Sequence, residues 1–333
     1  MYTPPFSIND EILHLVSEIS EQIGALNVML GELMPSPMLR KENQIKTIHS
    51  SLAIEHNSLS LQQVTDVIDG KHVLGAPNEI QEVKNALQAY QLMLQLDAYE
   101  EKDLLRAHGL MMAGLVTEAG KYRQGGVGIF DGDRCIHVAP PAERVPGLMA
   151  DLFDWIRHSK VHPLISSCVF HYEFEFIHPF MDGNGRMGRY WQTLLLSRWK
   201  GIFAWIPVET MVKKYQEQYY KAMALCDAKG NSTEFIAFML RCILETIKQE
   251  IKVTDKVTDK VTDKVTDKVT DKSTDKILAL IEENPTITIP DMMRQLGMSD
   301  SGVRKILRNL QKEGRLQRVG ANKNGHWEII TTL

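Results

Sequence analysis

Residues 177–190 read IHPFMDGNGRMGRY, which packs an imidazole, a carboxylate, two glycines around an asparagine, and two guanidinium groups into one short segment. His178 is the one group there that titrates near neutrality, so it is the natural general base. Asp182 is a hard oxygen ligand, suited to a magnesium ion shared between protein and phosphates. Gly183 and Gly185, on either side of Asn184, let the backbone turn and bring its amides close to a ligand. The residues that follow, RMGRYWQTLLLSRW, repeat at helical spacing with Met187, Trp191, Leu194 and Leu195 on one face. The glycine loop therefore opens a helix, where free amides and the dipole favour an anion. Arg186 and Arg189 lie three apart on the first turn and project to the same side. Loop amides, a helix dipole and two guanidinium forks suit a polyphosphate.

Such a site needs rigid elements around it, and the chain supplies mostly helices. Residues 7–56 have helical periodicity, with Ser7 as the expected cap and a break at MPSPM (34–38). Ser60 and Gln63 have capping-box spacing, and Gly70 is the expected stop. Helical spacing recurs over 78–118 and 143–250. Between them GKYRQGGVGIFDGDRCIHVAPP, with its Asp131-Gly132 turn signal, reads as a short hairpin. The repeat VTDKVTDKVTDKVTDKVTDKSTDK (253–276) has balanced charge and half its residues β-branched, which favours a solvated spacer. After it, helix, short helix, turn, longer helix and hairpin give a helix-turn-helix with a wing. Its basic residues gather on the recognition helix (Arg304, Lys305, Arg308) and near the wing (Arg315, Arg318, Lys323), where phosphates of DNA could be met; a protein-interaction module is the alternative.

The expected organisation is an N-terminal helical region (1–75), a core (76–250), a linker (251–276) and the winged helix (277–333). A length of 333 residues fits that division. Net charge is −4, so no overall basic field marks a nucleic-acid binder and any such role must be local. No apolar run is long enough to span a bilayer, and the first residues lack a signal-peptide pattern. Cys135, Cys168, Cys226 and Cys242 are scattered, which argues against a zinc site or disulfide framework and fits a cytoplasmic protein.

HPFMDGNGRMGR matches HxFx(D/E)GNGRxxR throughout, so residues 1–250 resemble the Fic family. The resemblance implies a mainly α bundle with a β-hairpin flap, and an enzyme transferring AMP from ATP to a Ser, Thr or Tyr hydroxyl of a protein. It implies His178 as base, Asp182 holding Mg2+, and Gly183, Asn184, Gly185 and Arg186 on the α- and β-phosphates. Arg189 would meet the γ-phosphate. The flap, Val127, Gly128, Ile129 and Phe130 among it, would hold the target by strand addition. SLAIEHN resembles the family's inhibitory pattern (S/T)xxxE(G/N): Ser51 and Glu55 share a helix face, and Glu55 would pair with Arg189 and shut the γ-phosphate site. His56 departs from that pattern. In some such members the glutamate supports removal of AMP instead, and members of this class often pair as homodimers. The reading from a different class is a DNA-binding regulator whose Fic-like body senses nucleotide without catalysis.

Overall fold

Two helices that are buried on nearly every side form the centre of the first unit: α7 (Pro163–Ile177) and α8 (Asn184–Trp199). Such helices must be wrapped by others, and the sequence supplies amphipathic ones for the task. They are α1 (Asp10–Met29), α2 (Pro37–Ile54), α3 (Leu61–Ile68), α4 (Pro77–Leu92), α5 (Glu101–Met111), α6 (Val145–His158), α9 (Glu209–Lys214), α10 (Gln216–Lys229) and the start of α11 (Thr233–Glu283). Ile12, Ile48, Val83, Leu104, Phe153, Phe170, Trp191, Phe235 and Ile243 lie in one continuous core. The structure is a computed structural model that describes residues 2–29, 36–131, 134–320 and 325–330, with backbone only over 27–29, 128–131, 134–138, 253–273 and 301.

The chain divides into two units, Met1–Lys252 and Val253–Leu333. In the first, the only strands among the described residues are β1 (Gly128–Asp131) and β2 (Arg134–Val138), an antiparallel hairpin with an irregularity between Ile129 and Phe130. Gly132, of the expected turn, lies outside the described residues. The Ser60–Gln63 capping box forms in both directions. Ser7 is not the cap of α1: Asn9 takes that place, its Oδ1 accepting from the Ile12 N–H at 2.9 Å, while the Ser7 N–H donates to Thr233 Oγ1. An amide oxygen two residues nearer the helix satisfies the orphan donors without lengthening it.

The second unit is the expected winged helix. α12 (Ile289–Leu296) is capped by Thr288 and ends at Gly297, and α13 (Asp300–Lys312) is capped by Ser299. The wing is β3 (Leu316–Val319) paired antiparallel with β4 (His326–Ile329). Ile277, Ile281, Ile287, Met292, Val303, Ile306, Leu307, Leu310 and Leu316 form its own core. The VTDK repeat, expected as a solvated spacer, has helical backbone within α11. Propagation explains the difference: extending a helix already nucleated costs far less than starting one, so weak formers suffice. Among the described residues no helix is long and apolar enough to cross a membrane.

Candidate active site

The base, the carboxylate and the glycine loop are placed by the turn between α7 and α8. α7 ends at Ile177, and His178 caps it in the left-handed conformation (φ 51°), its N–H donating to Phe174 O at 2.9 Å. The His178 Nδ1 lies 3.3 Å from Glu175 O. If Nδ1 carries the proton and donates to that carbonyl, Nε2 keeps the lone pair a base requires. Phe180 is fully buried and stacks flat on His108, with centroids 3.6 Å apart. Asn184 brackets Phe180: its Oδ1 accepts from the Phe180 N–H and its Nδ2 donates to Phe180 O, both at 2.9 Å. The carboxamide is thus spent on the loop, and a phosphate would meet the Asn184 N–H, not its side chain. Gly183 takes φ 84°, and a Cβ there would lie 2.6 Å from Met112 Sδ. Both conditions demand glycine. The open N–H groups of Asn184, Gly185 and Arg186 then form the first turn of α8.

His108 was invisible as a site residue in the sequence. The Gly120 N–H donates to its Nδ1 at 2.8 Å, so Nε2 carries the proton and donates to Asp182 O at 3.0 Å. Burial holds this imidazole down to about 4, hence neutral and locked in one tautomer. Asp182 is 59% exposed; its Oδ1 accepts from the Gly183 N–H at 2.6 Å and from Arg186 Nη2 at 3.1 Å. Arg186, nearly buried, also donates from Nη1 to Glu82 Oε1 at 3.0 Å. The other oxygen of Glu82 accepts from Asn57 Nδ2 at 2.7 Å. The guanidinium of Arg186 therefore organises Asp182 and ties the loop to α4, and its contribution to an anion from this position is its backbone N–H.

Arg189 is the second guanidinium and the deeper one. It donates from Nη2 to Glu55 Oε1 at 2.7 Å and to Ser51 O at 3.0 Å, and from Nε to Ser51 Oγ at 3.2 Å. Burial alone would lower its pKa, but the charges of Glu55 and Glu175 and the hydrogen bond to Glu55 outweigh that and hold it above the ordinary arginine value. Glu55 caps α2, and the chain leaves through His56 at φ 69°. A left-handed residue just after the glutamate explains why the inhibitory pattern has Gly or Asn there, and His also tolerates that region better than most residues. A Cβ built on Gly185 would collide with Glu55 Oε1. The carboxylate therefore stands against the side-chain position of Gly185, at the N-terminal turn of α8.

Behind Arg189, His171 is fully buried, Nδ1 against Gln192 Oε1 at 2.6 Å and Nε2 against the Tyr219 hydroxyl at 3.1 Å. Burial holds it down to about 3. Gly188 permits this closeness, since a Cβ there would stand 2.5 Å from Glu175 Oε1 and 2.7 Å from His171 Cδ2. In the expected flap, Val127 precedes β1 and Gly128, Ile129 and Phe130 lie in it; the side chains of Ile129 and Phe130 lie outside the described residues. On α13, Arg304, Lys305 and Arg308 are exposed, and Arg304 Nε donates to Asp300 at 2.6 Å. Arg318 stacks over the Trp327 ring at 4.7 Å with Nη1 buried, so its side chain builds the wing instead of projecting from it. Lys323 lies outside the described residues.

Comparison with known proteins agrees with this geometry. The Fic/DOC family pattern matches residues 95–196, and a winged helix-turn-helix DNA-binding pattern matches 270–317. Protein adenylyltransferase Fic from Drosophila mojavensis is 27% identical over 243 residues, covering 70% of this chain and 46% of that protein. The chain thus spans about half the length of the curated relatives it matches. A Fic domain containing signaling protein from Bacteroides thetaiotaomicron, 18% identical, shares the fold over 74% of this chain and 97% of its own, with a TM-score of 0.62. A Fic family protein from Desulfovibrio desulfuricans G20 is 45% identical over 99% of both chains, with a TM-score of 0.74. Sharing nearly half its residues with that protein from end to end, and carrying the signature loop intact, the chain belongs to the Fic family.

Proposed function

We propose that this protein is an autoinhibited protein adenylyltransferase, moving AMP from ATP to a Ser, Thr or Tyr hydroxyl of a protein. One observation carries the reading: Arg189 of α8 already holds an anion, the Glu55 carboxylate, against Gly185 at the helix N-terminus. A site built for an anion and stopped by the chain's own anion is both a phosphate site and its brake.

The chemistry follows from the residues. With Glu55 displaced, Arg189 takes the γ-phosphate, and the N–H groups of Asn184, Gly185 and Arg186 take phosphate oxygens nearer the reacting centre, Gly183 shaping the loop. His178 Nε2 accepts the target hydroxyl proton as its oxygen bonds to the α-phosphorus. The bond from that phosphorus to the bridging oxygen breaks, and pyrophosphate leaves. Magnesium fits the donor set, since Asp182 is one exposed carboxylate beside the cradle and no cluster of three acidic, His or Cys groups exists among the described residues. A bound Mg2+ would neutralise charge on the phosphates there. The hairpin, with Val127, Gly128, Ile129 and Phe130, holds the target by adding a strand. The reading extends to the reverse removal of AMP, in which Glu55 would take part.

The winged helix extends the reading to DNA, with Arg304, Lys305 and Arg308 as phosphate contacts on α13. The compartment of this reading is the cytoplasm, in keeping with the scattered cysteines. Mass spectrometry of the Glu55→Gly protein after incubation with ATP and magnesium tests the enzyme. A mass increment of one AMP on the protein itself or on a lysate protein is expected. No increment in either, together with no effect of His178→Ala, would leave a nucleotide-sensing regulator instead.

A further inference from the structure

Arg123 has no part in the chemistry above, yet it is 2% exposed and makes five hydrogen bonds to the frame of the site. Its Nε donates to His178 O at 2.7 Å, and Nη2 donates to Ile177 O at 3.3 Å and Pro140 O at 2.5 Å. Nη1 donates to Gly125 O at 2.9 Å, and its backbone N–H donates to Pro179 O at 3.0 Å. These acceptors fall into two groups. Ile177, His178 and Pro179 are the end of α7 and the left-handed residue bearing the base. Gly125 and Pro140 are the two stems of the hairpin, one just before β1 and one just after β2.

A buried guanidinium surrounded by carbonyls is costly to desolvate, and burial lowers its pKa accordingly. It is retained where its planar fork meets acceptors that no other side chain can serve at once. Lysine, a single point of charge on a flexible stem, cannot hold four carbonyls in one plane. The left-handed backbone at His178 is a conformation that persists only when its surroundings over-determine it.

We propose that Arg123 is a positioning residue that locks the hairpin to His178, so that a hydroxyl held on the flap arrives at the base in register. This rests on the reading of the hairpin as the target-holding flap. Arg123 touches neither nucleotide nor target; it sets the distance between the element that holds the target and the residue that deprotonates it. Its loss therefore separates two properties that the native protein joins: nucleotide binding survives, and transfer does not.

Arg123→Lys and Arg123→Gln, each made in the full chain with Glu55→Gly, test this. Hydrogen–deuterium exchange is expected to quicken about tenfold or more in β1 and β2, the scale of losing one charge-assisted hydrogen bond, and to stay unchanged in α8. Mg·ATP affinity, read by calorimetry, stays within about threefold. AMP incorporation from α-labelled ATP falls by at least about tenfold. Faster exchange spread equally over α7, α8 and the hairpin, or ATP affinity falling in step with incorporation, would show a merely structural residue and overturn the proposal. If the Glu55→Gly parent transfers no AMP, the enzymatic reading fails, while the exchange pattern still decides whether Arg123 couples hairpin to loop.

Discussion

Under the proposed autoinhibition, replacing Glu55 separates the two ways in which it would block the site. Arg189 has a side chain only 2% exposed, and Glu55 is its one charged hydrogen-bond partner, at 2.7 Å; the Ser51 contacts at 3.0 and 3.2 Å are neutral. A hydrogen bond to a charged group contributes about 1.5–3 kcal/mol. Glu55 is 30% exposed, and solvent screening places this pair near the lower end of that range. Freeing Arg189 for the γ-phosphate then corresponds to about 10- to 30-fold in productive ATP binding. Glu55→Gln removes the charge but keeps a planar group over Gly185, so it restores only part of that gain. Glu55→Gly removes both charge and bulk. The order expected in an α-labelled ATP incorporation assay is Gly above Gln above native. Thermal melts give an independent reading: Glu55→Gly leaves Arg189 without its counter-ion, so it melts below the native protein in buffer and is raised more by Mg·ATP. The reasoning is refuted if Glu55→Gly changes neither ATP affinity nor incorporation by more than about twofold.

His178→Ala is expected to lower incorporation by about 10²- to 10⁴-fold, the range for a lost general base, with Mg·ATP affinity unchanged by calorimetry. Gly188→Ala drives a methyl into Glu175 and His171, and urea melts should show a loss of about 1–3 kcal/mol. His108 and His171 are held to about 4 and about 3 by burial, so between pH 6.5 and 5 the unfolded chain binds protons that the folded one refuses. Their contribution is complete above about pH 6.5 and falls by about 1.4 kcal/mol per pH unit for each histidine as pH drops, which urea midpoints at pH 7, 6 and 5 will read. In a gel shift with the full chain, Lys305→Ala plus Arg308→Ala should weaken DNA binding and flatten its salt dependence; binding indifferent to salt would remove DNA from the proposal.

The parts legible in the sequence are those whose chemistry is local. IHPFMDGNGRMGRY states its own base, carboxylate, glycines and arginines, because a helix N-terminus uses neighbours in the chain. Ser51 and Glu55 were legible only through a pattern, since their partner Arg189 lies 134 residues from Glu55. His108, Glu82 and Arg123 left no local trace: each acts on a backbone carbonyl or a side chain far along the chain, and a lone His, Glu or Arg in a helix or loop carries no spacing to announce that. The roles of Asn184 and Arg186 shifted for a related reason. Spacing shows that side chains can face a ligand, but not that Phe180, Asp182 and Glu82 reach them first. The sequence marks Arg318 as a candidate contact to DNA phosphates but does not show which cross-strand ring it stacks on; register places Trp327 opposite it.

The same charge logic governs the closed and the open site. Arg189 is buried too deeply to stand without an anion, since an uncompensated buried charge costs several kcal/mol. In this structure Glu55 satisfies it from α2; in the proposed nucleotide-bound state the γ-phosphate would do so. The proposed exchange is of one anion for another at the same guanidinium. Ser51 keeps two hydrogen bonds to Arg189 from one turn earlier on the same helix. Movement of Glu55 alone therefore leaves Arg189 in place, whereas movement of the whole of α2 would release it. The brake consequently works best if the end of α2 frays and its body stays fixed. The left-handed turn at His56 and the Asn57–Glu82 contact lie where that fraying must begin. Removing the Asn57 side chain, as in Asn57→Ala, should raise incorporation by a few-fold to tenfold, the worth of a hydrogen bond to a carboxylate, while leaving Ser51 and Arg189 untouched. Unchanged incorporation in Asn57→Ala, alongside a gain in Glu55→Gly, would show that α2 moves as a rigid body instead.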